Sequence, residues 1–413
     1  MAMDSLVPTA YTMHTRPDKR AIEAQKDAID SQQRSSKAAR YGTTMAPNPE
    51  IFQALSAWNR RFNNRQITVP RDDPEPFKAE RRLGGGGIGI VHETRLDGIP
   101  LALKRSYARR LTEYQLNEIK ILGRISEERH QHVVELVGSY IHRQRSGYEL
   151  GLLIWPVAHC DLATFLQDLD TLNDYLTTFP DDPSRFEEDD PSSTLASVTI
   201  LLDSELQPLS IANVTAIVSK AQDRLIYSTG CIAGAVAYLH SKNIRHKDLK
   251  PSQILLSPHG LWLTDFGWSK DMSEYTHSGT SEGDRMTRKY ESPERARKET
   301  CGQSEDIFAL GCIFAEMSYY WVTHWFSPTP LSRPWSQIGW SFQENLEAVH
   351  EFFQCELDPY SEGFDVRLML RMIRKMLVSE PKRRPSMIDV IEIISEYELF
   401  GRCCSAILVG SRQ

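Results

Sequence analysis

No stretch of this chain approaches the roughly 20 consecutive apolar residues that a bilayer-spanning helix needs, so no span is expected. The N-terminus has no apolar core behind a basic stretch, which argues against a secretory leader. Seven cysteines are scattered through 413 residues with no Cys-x-x-Cys. An odd, unpatterned set excludes a disulfide framework and points to a reducing compartment. Positive charge is also not in excess. Lys and Arg number 48 against 55 Asp and Glu, a formal net charge of -7. Such a chain has no bulk field with which to neutralise a phosphate backbone, so no nucleic-acid partner is expected. The expectation is an intracellular protein, cytoplasmic or nuclear. No internal repeats occur. Hydrophobic content of 40% and charged content of 25% are ordinary for a globular protein, and the length suffices for a two-lobed domain with extensions.

Residues 1–76 read as an N-terminal extension. Up to about 47 it is polar and charge-mixed, with too little apolar surface to offset its ordering entropy. Ile51, Phe52, Leu55, Trp58 and Phe62 then fall near helical spacing after Pro49, which predicts a helix at 50–62. That helix either packs on the main domain or docks a partner. Asp72-Asp73-Pro74-Glu75-Pro76 reads as a linker. From 77 short apolar strands alternate with turns, and an amphipathic helix is predicted over 109–125, with Leu111, Leu116, Ile119, Leu122 and Ile125 on one side. After Leu162 the pattern is mostly helical. A strand-rich first part and a helix-rich second part suggest an α+β protein with two lobes. Residues 170–220 read as an acidic, proline-broken insertion, and 401–413 as a short tail.

Chemistry concentrates in three places. Gly84, Gly86 and Gly89, followed by Val91, permit a strand–turn–strand to bring backbone N–H groups close to phosphate oxygens. Lys104 ends an apolar strand, and Glu118 on the following helix is its best partner, with Glu113 second. An ammonium without a carboxylate is not held in one position. Asp248 lies in Ile244-Arg245-His246-Lys247-Asp248-Leu249-Lys250-Pro251, seventeen residues before Asp265-Phe266-Gly267. Two acidic residues so placed are the layout of a phosphoryl-transfer site, one orienting the attacking hydroxyl and one holding a metal.

With these motifs in this order, residues 77–400 resemble the eukaryotic protein kinase family. His132-Val133-Val134-Glu135-Leu136-Val137-Gly138, the Leu152–Val157 strand and hinge, Ser292-Pro293-Glu294, Asp306-Ile307-Phe308-Ala309-Leu310-Gly311 and Pro381-Lys382-Arg383-Arg384-Pro385 extend the likeness. The resemblance implies a bilobal kinase fold that uses ATP and Mg²⁺ to transfer the γ-phosphoryl to Ser or Thr of a protein substrate. It implies that Asp248 accepts the substrate proton and Lys250 neutralises the transferring phosphate. Leu83, Val91, Ala102 and Leu255 would enclose the adenine, and the glycines, Lys104 and Glu118 would serve the phosphates. Asp265 and Gln253 would hold the metal. Leu122, His246 and Phe266 would stack between the lobes, Glu294 would pair with Arg384, and Asp306 would support the catalytic loop. Lys250 and Thr287 resemble the Ser/Thr type rather than the tyrosine type.

The chain departs from the family at several positions. Gln253 stands where the family has Asn and puts its amide oxygen one methylene further out. A shift of about 1 Å at a reacting centre costs on the order of a hundredfold. Two readings stay open, a working enzyme and a pseudokinase acting as a nucleotide-binding scaffold. A small-molecule phosphotransferase of similar fold is a third, opposed by Ser292-Pro293-Glu294, Thr287 and Arg384. Lys247 replaces an arginine that clamps a phosphorylated loop, and it lacks the bidentate fork. Thr276, Ser278, Thr280 and Ser281 are candidate phosphosites. Pro156 removes a backbone N–H at the hinge. The aromatic cluster of Tyr319, Tyr320, Trp321, Trp325, Phe326, Trp335, Trp340 and Phe342 reads as lobe packing or as a partner groove. Cys403-Cys404 is a weak candidate for palmitoylation.

Overall fold

Asn48 accepts a hydrogen bond from Glu50 N at 2.9 Å, and Pro49 fills the first helical position, where its missing N–H costs nothing. Together they start helix α1 (Pro49–Arg61), which buries Ile51, Ala54, Ala57 and Trp58 on one face. The computed structural model describes residues 48–86, 89–178, 198–202, 211–258, 260–272, 288–321, 333–337, 339–357 and 364–396. The acidic motifs at 181–183 and 187–193 of the predicted 170–220 insertion, the tail 401–413 with Cys403-Cys404, and residues 1–47 lie outside them.

The first half is one sheet of six strands: β1 (Gln66–Val69), β2 (Arg82–Gly86), β3 (Gly89–Leu96), β4 (Ile99–Ala108), β5 (Glu135–Gln144) and β6 (Gly147–Trp155). Their order is β1-β5-β6-β4-β3-β2, with β1 parallel to β5 and the other pairs antiparallel. Strand period sends alternate residues to opposite faces. Leu153 and Trp155 join Val137, Tyr140, Leu101, Leu103 and the buried face of α1 in one apolar cluster. Leu152 and Ile154 point the other way, with Leu136, into the main core. Trp58 is fully buried over Gly138, where an added Cβ would sit 2.2 Å from its ring. Trp58 stacks on Phe77 at 5.9 Å and Phe77 on Tyr140 at 6.0 Å. Residues 49–69 therefore share the sheet's own core, and the inner face of α1 is covered by the domain itself.

Helix α2 (Glu113–Glu128) covers the opposite face of the sheet through Ile121, Leu122 and Ile125. It begins four residues later than the 109–125 reading, because Gln115 Oε1 accepts from Thr112 N at 3.0 Å and fixes the start there. Leu111 thus precedes the helix.

The second half is helical. Strand β7 (Cys160–Asp161) leads into α3 (Leu162–Thr178), and α4 (Ile211–Ser241) follows. Both ends of the 170–220 stretch are therefore helix. Strands β8 (Ile244–Arg245), β9 (Ile254–Ser257), β10 (Gly260–Leu263) and β11 (Lys270–Asp271) form two small sheets, β10-β9-β7 and β11-β8. Helices α5 (Pro293–Ala296), α6 (Ser304–Ser318), α7 (Leu346–Phe352), α8 (Phe364–Met376) and α9 (Met387–Glu396) complete the described residues. Every residue of α6 from Glu305 to Ser318 is buried, so this helix is the axis of the lobe. Tyr319, Tyr320, Trp321, Trp335 and Phe342 are buried in the same core. These five members of the aromatic cluster thus pack the lobe, and the partner-groove reading fails for them because they expose almost no surface, while Trp340 is partly buried against the same core. Trp325 and Phe326 lie outside the described residues. No helix among the described residues is long and apolar enough to cross a membrane.

Candidate active site

The glycine hairpin forms the roof of the interlobe site. Gly84 pairs with Val91, Gly85 with Ile90 and Gly86 with Gly89, while Gly87 and Ile88 at the tip lie outside the described residues. At Gly89 a side chain is excluded, since a Cβ would lie 2.4 Å from the Arg105 carbonyl oxygen. Val91 sits opposite Lys104 across β3 and β4, and Ala102 opposite Ile154 of β6. Leu83 and Leu255 are half-buried. Trp155-Pro156 at the end of β6 is a cis peptide.

The structure brings Lys104, Glu118 and Asp265 together. Lys104 Nζ donates to Glu118 Oε1 and to Asp265 Oδ1, each at 2.7 Å. Glu113 is not the partner. Burial opposes the charge on Lys104, but the two carboxylates outweigh it and raise its pKa. Burial pushes Glu118 up, against the pull of Lys104. For Asp265 burial also pushes upward, yet the Lys104 ammonium wins and holds the carboxyl below its ordinary value. Asn117, one residue before Glu118, donates from Nδ2 to the carbonyls of Gly267 at 3.3 Å and Ser269 at 2.9 Å. It ties the turn after Asp265 to α2. Sequence reading missed it, and its only sequence signal is adjacency to Glu118.

The loop after β8 is built on Asp306. Its buried carboxylate accepts from His246 N and Lys247 N, both at 2.9 Å, and pairs with His240 Nε2 at 2.9 Å. These donors hold Asp306 below its usual range despite burial. They also stabilise left-handed backbone at Lys247, φ 70°; Asp265 has φ 63°. Such conformations cost about 1 kcal/mol or more for a residue with a side chain and persist where surroundings over-determine them. The His246 ring bonds the Thr264 carbonyl at 2.9 Å and lies 5.2 Å from Phe266, with Leu122 in the same core.

Asp248, Lys250 and Gln253 converge beneath the roof. Lys250 Nζ donates to Asp248 Oδ2 at 2.7 Å. Gln253 Nε2 lies 3.0 Å from Asp265 Oδ2 and 3.4 Å from Asp248 Oδ2. The side chain expected to offer an oxygen to a metal instead turns its N–H groups toward both aspartates. Asp265 supplies hard carboxylate oxygen of the kind that suits Mg²⁺ when phosphate oxygens and water complete the shell. Thr287, Thr276, Ser278, Thr280 and Ser281 lie outside the described residues.

Farther out, Arg384 forms a fork on Glu294, at 2.7 and 2.8 Å. Lys289 and the Tyr290 hydroxyl meet buried Glu316 at 2.5 and 3.1 Å, and burial raises the Glu316 pKa. Sequence reading missed this contact.

The family model described as protein kinase domain matches residues 209–394, the stretch that holds Asp248, Gln253, Asp265, Asp306 and Arg384. The chain carries a protein kinase domain. Outside that match, the kinase-domain fold extends over the strand-rich sheet described above. A receptor-like protein kinase of Arabidopsis thaliana, named for the leaf rust 10 disease-resistance locus, is 28% identical over 80% of this chain and 45% of its own. The serine/threonine-protein kinase Sgk1 of Rattus norvegicus is 43% identical over 21% of this chain and 20% of its own. The 3-phosphoinositide-dependent protein kinase 1 of Homo sapiens is 37% identical over 22% of this chain and 16% of its own. The chain thus matches less than half the length of each of these relatives.

Proposed function

We propose that this kinase domain transfers the γ-phosphoryl of ATP to a serine or threonine of a protein substrate. The observation that carries this reading is the ion triad, one ammonium held at 2.7 Å by Glu118 and Asp265 with Asp248 adjacent across Gln253. Phosphoryl transfer needs little covalent chemistry from the protein, so positioning and charge stabilisation carry most of the work. Lys104, fixed by Glu118, would hold the α- and β-phosphates. The hairpin glycines Gly84, Gly86 and Gly89 would let backbone N–H groups approach them, while Leu83, Val91, Ala102 and Leu255 wall the adenine. Asp265 would hold Mg²⁺. When bound, the ion supplies charge neutralisation on the phosphate oxygens. Asp248 would orient the attacking hydroxyl and take its proton. Lys250, already 2.7 Å from Asp248, would offset charge on the group in transit. The Ser/Thr preference rests on Lys250, on Thr287 and on the similarity to the rat serine/threonine-protein kinase.

A second reading is a nucleotide-binding pseudokinase. It is favoured by one observation, that the Gln253 amide presents N–H and not oxygen to the aspartates. Intact-mass detection of phosphate transfer to a generic Ser/Thr substrate separates the two, with wild type, Asp248→Asn and Gln253→Asn side by side in Mg-ATP. Phosphate from wild type and none from Asp248→Asn supports the enzyme. Transfer by Gln253→Asn alone supports the pseudokinase.

A further inference from the structure

We infer that Gln253 is a hydrogen-bond bridge between Asp248 and Asp265 and not a metal ligand, so that the nucleotide complex holds one divalent cation instead of two. This rests on the nucleotide-binding reading above.

Chemistry fixes the orientation of the amide. Both groups facing it are carboxylates, which accept but do not donate when ionised. Only the nitrogen end can meet them, at 3.0 Å to Asp265 and 3.4 Å to Asp248. With Lys104 on Oδ1 and Gln253 on Oδ2, each Asp265 oxygen already has a donor. The backbone of Gln253 cannot slide to change this. Its N–H bonds the Lys250 carbonyl at 2.9 Å, its own carbonyl accepts from Thr264 N at 3.0 Å, and the residue is buried. The extra methylene is therefore what lets the amide reach between the two acids from a fixed backbone. Shortening the side chain by one carbon withdraws the amide by about 1.5 Å, one C–C bond. To act as a ligand, Gln253 must turn its oxygen toward two carboxylates and abandon two bonds to charged acceptors. A first cation at Asp265 is compensated by that carboxylate and by phosphate. A second, at the position the family's Asn serves, must also break the bridge, and the bridge already relieves the repulsion between the acids that a second cation would relieve.

The test is manganese stoichiometry on the full chain, read by electron paramagnetic resonance of free Mn²⁺ in the presence of a saturating non-hydrolysable imido analogue of ATP. Wild type is expected to hold one Mn²⁺ per nucleotide complex, and Gln253→Asn two. Gln253→Leu removes the bridge without restoring a ligand. It is expected to hold one, with half-saturation near that of wild type, because the first cation leaves the bridge in place. Two Mn²⁺ on wild type, or one on Gln253→Asn, overturns the inference. A parallel thermal-shift titration with the analogue separates the failures. A nucleotide-induced shift with the wrong metal count overturns this inference alone, whereas no shift at all overturns the nucleotide-binding reading and the inference with it.

Discussion

Replacing Arg384 by alanine is expected to destabilise the protein by about 3–5 kcal/mol, the cost of leaving one member of a buried ion pair alone. The structure supplies the reasons. The guanidinium makes five hydrogen bonds: two to Glu294 at 2.7 and 2.8 Å, and one each to the carbonyls of Val378, Ser304 and Ser379 at 2.9, 2.9 and 3.1 Å. It also lies 4.9 Å above the Phe308 ring. The two charged side chains are 0% and 1% exposed, so water cannot take over from the missing cation. In Arg384→Ala the Glu294 carboxylate stays buried without its fork, and three carbonyls lose a donor. Urea unfolding followed by circular dichroism reads the change as a fall in midpoint at unchanged slope. The companion variant Glu294→Leu/Arg384→Met removes both charges and is expected to recover most of the loss, since apolar replacement of a whole buried pair is often neutral. A loss below about 1 kcal/mol in Arg384→Ala, or a double variant no more stable than the single one, would refute the reasoning from stranded charge.

Three further outcomes follow from other contacts. Burial, then repulsion from Asp161, raises Asp168 from 3.8 to about 6. Because the folded value lies above the unfolded one, stability is full below pH 3.8 and declines as pH rises through 6; Asp168→Asn should add at most ~3 kcal/mol at pH 7 and less than about 1 kcal/mol at pH 4, measured by urea midpoints at both. Gly138→Ala should cost about 1–3 kcal/mol by overpacking against Trp58, and should cost much less in a Trp58→Ala background, because neighbours that share one space are not additive. Lys104→Met should abolish the nucleotide-induced thermal shift while leaving the fold intact by circular dichroism; an undiminished shift would remove Lys104 from the phosphate site.

The fold was legible where sequence pattern and packing ask for the same thing. Ile51, Trp58 and their neighbours at helical spacing gave α1, and the strand-rich half followed by a helix-rich half gave the two lobes. The start of α2 was misread because Leu111 continues the apolar spacing, whereas the side chain that sets the boundary is Gln115, whose oxygen takes the Thr112 N–H. The aromatic cluster was ambiguous in sequence because apolarity does not say which side of a surface a ring occupies. Nothing local predicts that β1 pairs in parallel with β5, because that partnership joins Gln66 to Ser139 across strands β2 to β4 and helix α2.

At the site, residue types were legible and directions were not. Lys104, Glu118, Asp248 and Asp265 are chosen by charge and spacing, and their geometry follows from two backbone facts: β4 carries the lysine beneath the hairpin, and Asp306 anchors the loop through His246 and Lys247. Asn117 carries no such mark, since its value lies in two carbonyls that only the folded turn brings within reach. Gln253 is the sharper case. Read as a letter it is a longer Asn, whose oxygen lies one methylene further out. In the fold the question becomes which end of the amide two carboxylates select, and only a donor can face both. A change of one methylene thus alters the kind of contact as well as its distance, turning a position that the family uses to accept a cation into one that holds two acids together without one.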